Sequence, residues 1–509
     1  MTKSSKIAFF LSGGLLLLFV VAAFVDLDAL SKFVDTLYGW SVSYFGAYWQ
    51  FFALLNFCIA LYVAFSPAGR ARMGKREVPE INTFKWFSVI LCTLLAAGGV
   101  FFAAGEPMAH FVAPPPAFDS SATSDQLTSA ALAQTYFHWG YLSWSMYGSM
   151  ATMVLAHLHY DKGLPLKPRT LLYPLLGPSV LNNWVGSAID AACIVAVAAG
   201  TVGPIGFLGL QVSYGLSALF GIADVYQTQA MIILFLIAMY TISTVSGITR
   251  GIQLLSTFNV ILALFLMAFI LFFGPTTFIM QKFVDANVVE VSHFFSMASF
   301  RADSVWLGQW TIFYLGWFVG YAPLMAMFVC RISNGRSVRQ MIIAVSIMAP
   351  IVTSLWITIV GGTGLSMELA EPGVISGPFE GFNLPAALLA ISQNLPYGFV
   401  ISVLFLILTT VFVATTGDSM TYTISMVLTG EDEPPRMMRI FWGIMLGVLA
   451  MILLKIGAGS IAALQSFIVI TAVPVSIIVL PTLWYGLVIA RQLGKPAEIV
   501  EAQVQNANS

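Results

Sequence analysis

The stretch QWTIFYLGWFVGYAPLMAMFVCRISNGRS, Gln309 to Ser337, decides how the chain is read. It is long and apolar enough to cross a bilayer, which takes about 20 residues of helix. Yet it holds Gly316, Gly320 and Pro323, residues that loosen or break a helix. An interruption at membrane depth is tolerated only where freed backbone lines a cavity. Trp317, Phe318 and Tyr321 sit at i, i+1 and i+4, within about 100° of arc on one helix face. The stretch therefore predicts a broken span with an aromatic wall at its centre, ending in the basic tail Arg331, Arg336 and Arg339.

Outward from this segment the composition agrees. Of 509 residues, 59% are apolar and only 9% are charged, with a mean hydropathy of +0.88. A soluble domain is nearer 45–50% apolar, roughly, so the chain reads as an all-α integral membrane protein. A net charge of -1 offers no basic surface, and nucleic acid is excluded as a partner. Cys58, Cys92, Cys193 and Cys330 lie in apolar runs without metal-knuckle or disulfide spacing. No HExxH motif and no phosphate-binding glycine loop is present, and no nucleophile, base and orienter can be assembled, so an enzyme is not expected.

Twelve apolar runs of membrane length can be placed, at 6–26, 48–66, 86–104, 132–157, 186–206, 229–247, 256–279, 309–330, 340–362, 398–425, 438–456 and 464–490. The first follows Lys3 and Lys6 but lacks a small-residue cleavage site, and so reads as a transmembrane helix, not a leader. With a cytoplasmic N-terminus, only Lys32, Lys282, Arg301 and Lys455 of the 22 Lys and Arg residues fall outside. The positive-inside rule then puts both termini of a multi-pass protein in the cytoplasm, in a cell inner membrane. Long outer loops are expected at 106–130 and 363–396.

Spans three to seven and eight to twelve form two sets of five that start on opposite sides, which permits an inverted repeat. The chain then divides into two N-terminal helices (1–85), a first repeat (86–279), an outer connector (280–308), a second repeat (309–490) and a short cytoplasmic tail (491–509). The stretch A96-A-G-G-V-F-F-A-A-G-E-P107 is a second expected interruption, in span three. A second aromatic face lies in span four, where Trp139, Trp144 and Tyr147 fall within about 140° of arc. Either face could pack against lipid as part of an interfacial belt. Together, beside a helix break, they suit a cage for a quaternary ammonium group, which has no N–H to donate and is attracted to ring faces.

Asp190 and Asp418 read as interhelical hydrogen-bond acceptors near the cytoplasmic side, or as functional charges. Arg331, Arg336 and Arg339 read as anchors of an inner loop.

The strings H138-W-G-Y-L-S-W-S-M-Y147, W310-T-I-F-Y314, R331-I-S-N-G-R-S-V-R339, G105-E-P107 and T415-T-G-D-S419 resemble the betaine/choline/carnitine transporter family. The resemblance covers about Gly39 to Ala490 and implies twelve transmembrane helices in a LeuT-like fold of inverted five-helix repeats, assembled as a homotrimer in the bilayer. It implies a substrate box of Trp139, Trp144, Tyr147, Trp317, Phe318 and Tyr321. Two departures stand out. The family's Trp-Trp followed by Ile-Ser-Trp-Ser-Pro is Trp317-Phe318-Val-Gly-Tyr321-Ala-Pro323 here, and its alternating glycines are reduced to Leu94-Leu-Ala-Ala-Gly98-Gly99. The resemblance further implies a sodium site from Thr415 and Thr416 hydroxyls with carbonyls of Phe412, Cys92 and Leu95. Sodium-independent carnitine exchangers of the family carry an Arg in span seven where this chain has Val260. Threonines that only bond back to their own helix remain the alternative. The expected function is sodium-coupled import of a betaine-, choline- or carnitine-type onium compound by alternating access, with no cofactor beyond the coupling ion. A sodium-independent exchanger, a proton-coupled choline-type transporter, and a channel or binding-only sensor are the rivals.

Overall fold

The computed structural model describes residues 2–74, 76–95, 98–246, 249–431 and 433–493, with the side chains of 92–95, 243–246 and 249–256 outside the description. Its regular elements are helices, and among the described residues the sole β pairing is an isolated bridge between Arg72 and Ser337. Among the described residues, eight helices are long and apolar enough to cross a membrane: Lys3–Val25, Leu27–Phe65, Trp184–Phe220, Ser304–Ile332, Val338–Ala370, Gly398–Thr429, Arg436–Ile456 and Ala462–Leu493. A ninth is reached if Thr257–Phe273 and Thr276–Ser299, bent by 109° at their junction, count as one span. These eight cover eight of the twelve expected runs. The chain is a multi-pass membrane protein.

The remaining runs are carried by shorter or interrupted helices. Run 132–157 divides into Ser124–Trp139, Tyr141–Tyr147 and Met150–Ala156. Its breaks fall at Gly140 (φ −106°, ψ −138°) and at Gly148 and Ser149 (φ −146°, ψ 42° and φ −126°, ψ −106°). A Cβ at Gly140 would lie 2.3 Å from the Tyr136 carbonyl oxygen, and one at Gly148 would lie 2.6 Å from Val345. Only glycine fits either corner.

The opening stretch behaves differently from its expectation. Phe313–Ile332 is one unbroken helix with Pro323 inside it. Its glycines serve close packing. A Cβ on Gly316 would come within 2.9 Å of the Trp49 ring, and Gly320 faces Ala196 and Ala472. The irregularity sits one turn earlier, where Gly308–Ile312 widens into a π turn, the form in which helices absorb an extra residue. This helix is the molecular centre, buried continuously from Phe313 to Met327, and it packs on Ala462–Val479, Trp184–Phe220 and all three pieces of the broken fourth run.

Two expected outer loops are largely helical. Gly98–Val112 continues past Glu106 and Pro107, leaving 113–123 as the non-helical link before a Thr123/Gln126 capping box opens Ser124–Trp139. In 363–396, Thr363–Ala370 and Leu384–Gln393 are helices. The 280–308 region is occupied mainly by Thr276–Ser299, which buries Ile279, Lys282, Ala286 and Glu290 at helical spacing and lies along Ser124–Trp139.

The intramembrane acids have basic partners. Asp190 is bonded to Arg169 at 2.8 Å, with both side chains buried, and Asp418 to Arg439 at 2.8 Å. The arginine string anchors a loop: Arg336 donates to Thr83 Oγ1 at 2.8 Å and stacks over Trp86, while Arg339 donates to the Ala64 carbonyl at 2.6 Å.

Candidate functional site

The two aromatic faces meet. Trp139, Trp144 and Tyr147 flank the Gly140 break, and Trp317, Phe318 and Tyr321 ride the central helix; all six side chains are buried. Tyr147 stacks on Phe318 with ring centroids 4.7 Å apart, and Trp139 meets Trp317 and Phe318 edge-on at 6.0 Å each. Tyr321 closes one side at 6.3 Å from Tyr147, and Trp144 packs behind Tyr147 at 6.1 Å. The break gives the fourth run its corner, so that its aromatics turn onto the central helix instead of continuing along one axis.

Several members of this wall are not apparent from spacing. Phe102, Phe207 and Phe313 pack on Trp317 at 6.5, 5.9 and 5.5 Å. Thr201 bonds the Tyr321 hydroxyl at 2.7 Å, and a Cβ on neighbouring Gly200 would lie 2.1 Å from the Tyr321 ring. Gly98 lies under both tryptophans, with a Cβ there 2.7 Å from Trp317 and 3.0 Å from Trp139. The Trp144 Nε1–H is buried and finds no acceptor among the described residues. Apart from Phe313, which lies one turn before Trp317 on the same helix, these contacts join helices far apart in sequence, and no local period marks them.

Above the box lies a polar knot. Glu106 Oε2 accepts from Trp139 Nε1 at 2.9 Å and from the Tyr314 hydroxyl at 2.5 Å. Its Oε1 lies 2.6 Å from His138 Nδ1 and 3.4 Å from His110 Nε2. A buried carboxylate is stable only when its lone pairs are bonded, and here those bonds fix the Trp139 ring. The i, i+4 spacing of Glu106 and His110 is visible in the sequence, but the approach of His138 is not. His110, Trp306 and Trp310 also line a cavity of about 820 Å³ that includes Asp35, Ala113 and residues 381–385 and 459–462. A continuous series of rings leads from this vestibule to the box: His110 to Trp310 at 4.6 Å, His138 to Tyr314 at 4.9 Å, and Tyr314 to Trp139 at 5.2 Å.

The expected ion ligands are less convergent. Phe412, Thr415 and Thr416 lie on one turn and a half of Gly398–Thr429. The Thr415 hydroxyl donates back to the Val411 and Phe412 carbonyls at 2.9 and 3.0 Å. Cys92 and Leu95 fall in the Thr83–Leu95 helix, but their side chains, and Ala96 and Ala97 entirely, lie outside the described residues.

Comparison with known proteins agrees with this geometry. The family model for betaine/carnitine/choline family transporters matches residues 7–495. Glycine betaine transporter 2 of Vibrio parahaemolyticus is 54% identical over 492 residues, covering 97% of this chain and 91% of that protein. Glycine betaine transporter OpuD of Bacillus subtilis is 32% identical over 461 residues, covering 89% and 88%. The uncharacterized transporter Rv0917 of Mycobacterium tuberculosis is 33% identical over 438 residues, covering 85% and 73%.

Proposed function

The chain belongs to the betaine/carnitine/choline transporter family, and from that premise we propose that it imports glycine betaine by sodium-coupled alternating access. It is a transporter of the betaine/choline type, not an enzyme. The observation that carries the substrate class is the cluster of six buried aromatics drawn from three helices. Ring faces attract a trimethylammonium group without requiring it to donate a hydrogen bond. The buried Trp144 N–H has no partner among the described residues and is a donor that the substrate's carboxylate would satisfy. Glycine betaine is the choice within the class because the relative with 54% identity carries that name.

The proposed mechanism is rocking of two inverted five-helix repeats, 86–279 and 309–490, in a LeuT-like fold, about the box as a fixed centre. In this reading the vestibule is the outer entrance, both termini are cytoplasmic, the membrane is the inner one, and three copies assemble. The coupling ion rests on Thr415, Thr416 and Phe412 with backbone oxygens of Cys92 and Leu95. Back-bonding by Thr415 uses its hydrogen and leaves its oxygen lone pairs for a cation. Val260 in place of an arginine leaves the ion's charge unsubstituted.

The test is accumulation of labelled glycine betaine in proteoliposomes with a sodium, potassium or proton gradient as sole driving force. Uptake is expected with sodium alone, and Thr416→Val should remove that dependence while leaving the melting temperature unchanged. Full uptake without sodium rejects the coupling. Absence of competition by glycine betaine, choline and carnitine rejects the substrate class.

A further inference from the structure

We propose that Glu106, His110 and His138 form a zinc-binding site between the outer vestibule and the aromatic box, through which a bound zinc ion arrests transport. The ligand atoms of the three buried residues lie within 4.8 Å of one another. His110 is only 1% exposed, and its Nε2 has no hydrogen-bond partner although it sits 3.4 Å from Glu106 Oε1. A buried ring nitrogen without a partner is costly; coordination would satisfy it.

The donor set is two imidazoles and one carboxylate, a combination that takes zinc with an open fourth position. Bonds of about 2.0–2.2 Å put tetrahedral ligand atoms roughly 3.3 Å apart, close to the 3.4 Å between His110 and Glu106. His138, now at 2.6 Å, must recede from Glu106 by less than about 1 Å, and the two imidazole nitrogens, within 4.8 Å of each other, must close toward the same spacing. The surrounding shell is already built. Glu106 Oε2 is held by Trp139 and Tyr314, and His138 Nε2 lies 3.0 Å from both Thr311 Oγ1 and the Gln134 amide. Such outer partners orient metal ligands and set their tautomers.

The protons balance. In the metal-free protein the His138 Nδ1–H donates to the carboxylate, while Nε2 accepts from Thr311 and Gln134. Ligation through Nδ1 moves that proton to Nε2, where the Thr311 hydroxyl oxygen or a turned Gln134 amide oxygen accepts it. His110 lines the vestibule, so the ion enters there and a vestibule water fills the fourth position. The ion would fix the Glu106 carboxylate, which bridges Trp139 to Tyr314 on the central helix, and so hold the box shut.

The test uses the full-length protein and zinc chloride. Calorimetry in detergent should show one saturable site, abolished by His110→Gln and weakened roughly 10–100-fold by Thr311→Val, which keeps all three ligands. Thr311→Val carries the test should His110→Gln fail to fold. In proteoliposomes, zinc should inhibit uptake reversibly with chelator, and the uptake that His110→Gln retains should no longer respond to zinc. Calorimetry does not depend on the transport reading, so failure of one is distinguishable from failure of the other. No saturable binding, or equal affinity in the wild type and both variants, overturns the site; so does binding that leaves uptake unaffected.

Discussion

At the scale of single residues, the proposed box separates tryptophans expected to bind from those that only pack. Trp317 and Trp144 are box members, and Trp484 is 73% exposed on the outer surface of its helix. Loss of a desolvated cation–π contact is worth on the order of 1–2 kcal/mol, or roughly 5–30-fold in affinity. Trp317→Leu and Trp144→Leu are therefore expected to weaken glycine betaine binding by that factor in equilibrium binding, with Trp484→Leu unchanged; equal effects from all three would disprove the cage. Trp49 is no neutral control, because it is fully buried and packs on Gly316. The two positions where the family's tryptophans are replaced also differ. Phe318 stacks on Tyr147 within the box, so Phe318→Trp should reorder preference among betaine, choline and carnitine in competition uptake. Tyr321 lies against Gly200, where a Cβ would be only 2.1 Å from its ring, so Tyr321→Trp should lower the melting temperature instead of reordering substrates. A Tyr321→Trp protein of normal stability with altered ranking would show that this wall yields.

At the scale of elements, corners count for more than glycine content. A Cβ at Gly140 would lie 2.3 Å from the Tyr136 carbonyl, and backbone strain of this kind costs on the order of 1–3 kcal/mol. Gly140→Ala is expected to lower thermal stability and glycine betaine affinity together. Pro323→Ala, within a helix that already runs straight through it, should leave the melting temperature equal or higher. The opposite pattern would restore the break to the central helix. These two glycine-bearing stretches also mark what can be read from sequence. The aromatic faces are legible because i, i+4 spacing and hydropathy are local properties. The place of the break is not, because a glycine that admits Trp49 and a glycine that turns the chain at Gly140 have the same local pattern. Glu106 is not legible as a buried charge, because the sequence places it at the start of an outer loop, and its bonds to His138, Trp139 and Tyr314 depend on helix packing. The expected loops at 106–130 and 363–396 are missed for a related reason: small and polar residues near a membrane face satisfy a helix that is covered by protein as well as they satisfy a loop.

At the scale of the whole molecule, the proposed orientation rests on where charge sits relative to the vestibule. The cavity of about 820 Å³ gathers Ala113 and residues 381–385 and 459–462 on one face, the face that the lysine and arginine distribution assigns to the outside. The opposite face carries the Arg336 and Arg339 anchors and the exposed Lys162. Translocating a basic loop is unfavourable, whereas the outer segments carry little positive charge. Ala462 is exposed and lines the vestibule, so Ala462→Cys, in a background lacking the 4 native cysteines, should react in intact cells with a membrane-impermeant maleimide. Lys162→Cys should react only after permeabilisation. Tyr147 and Phe318 stack within the box, so in the proposed cycle substrate entry parts these rings while the vestibule stays open above them. Glycine betaine with sodium should then draw the repeats toward the inward state and slow labelling of Ala462→Cys, as rocking bundles close the outer entrance. Neither ligand alone should slow it as far, because a coupled transporter closes fully only when both sites are filled. Labelling of Lys162→Cys from outside would invert the topology, and an Ala462→Cys rate unaffected by both ligands together would argue against alternating access.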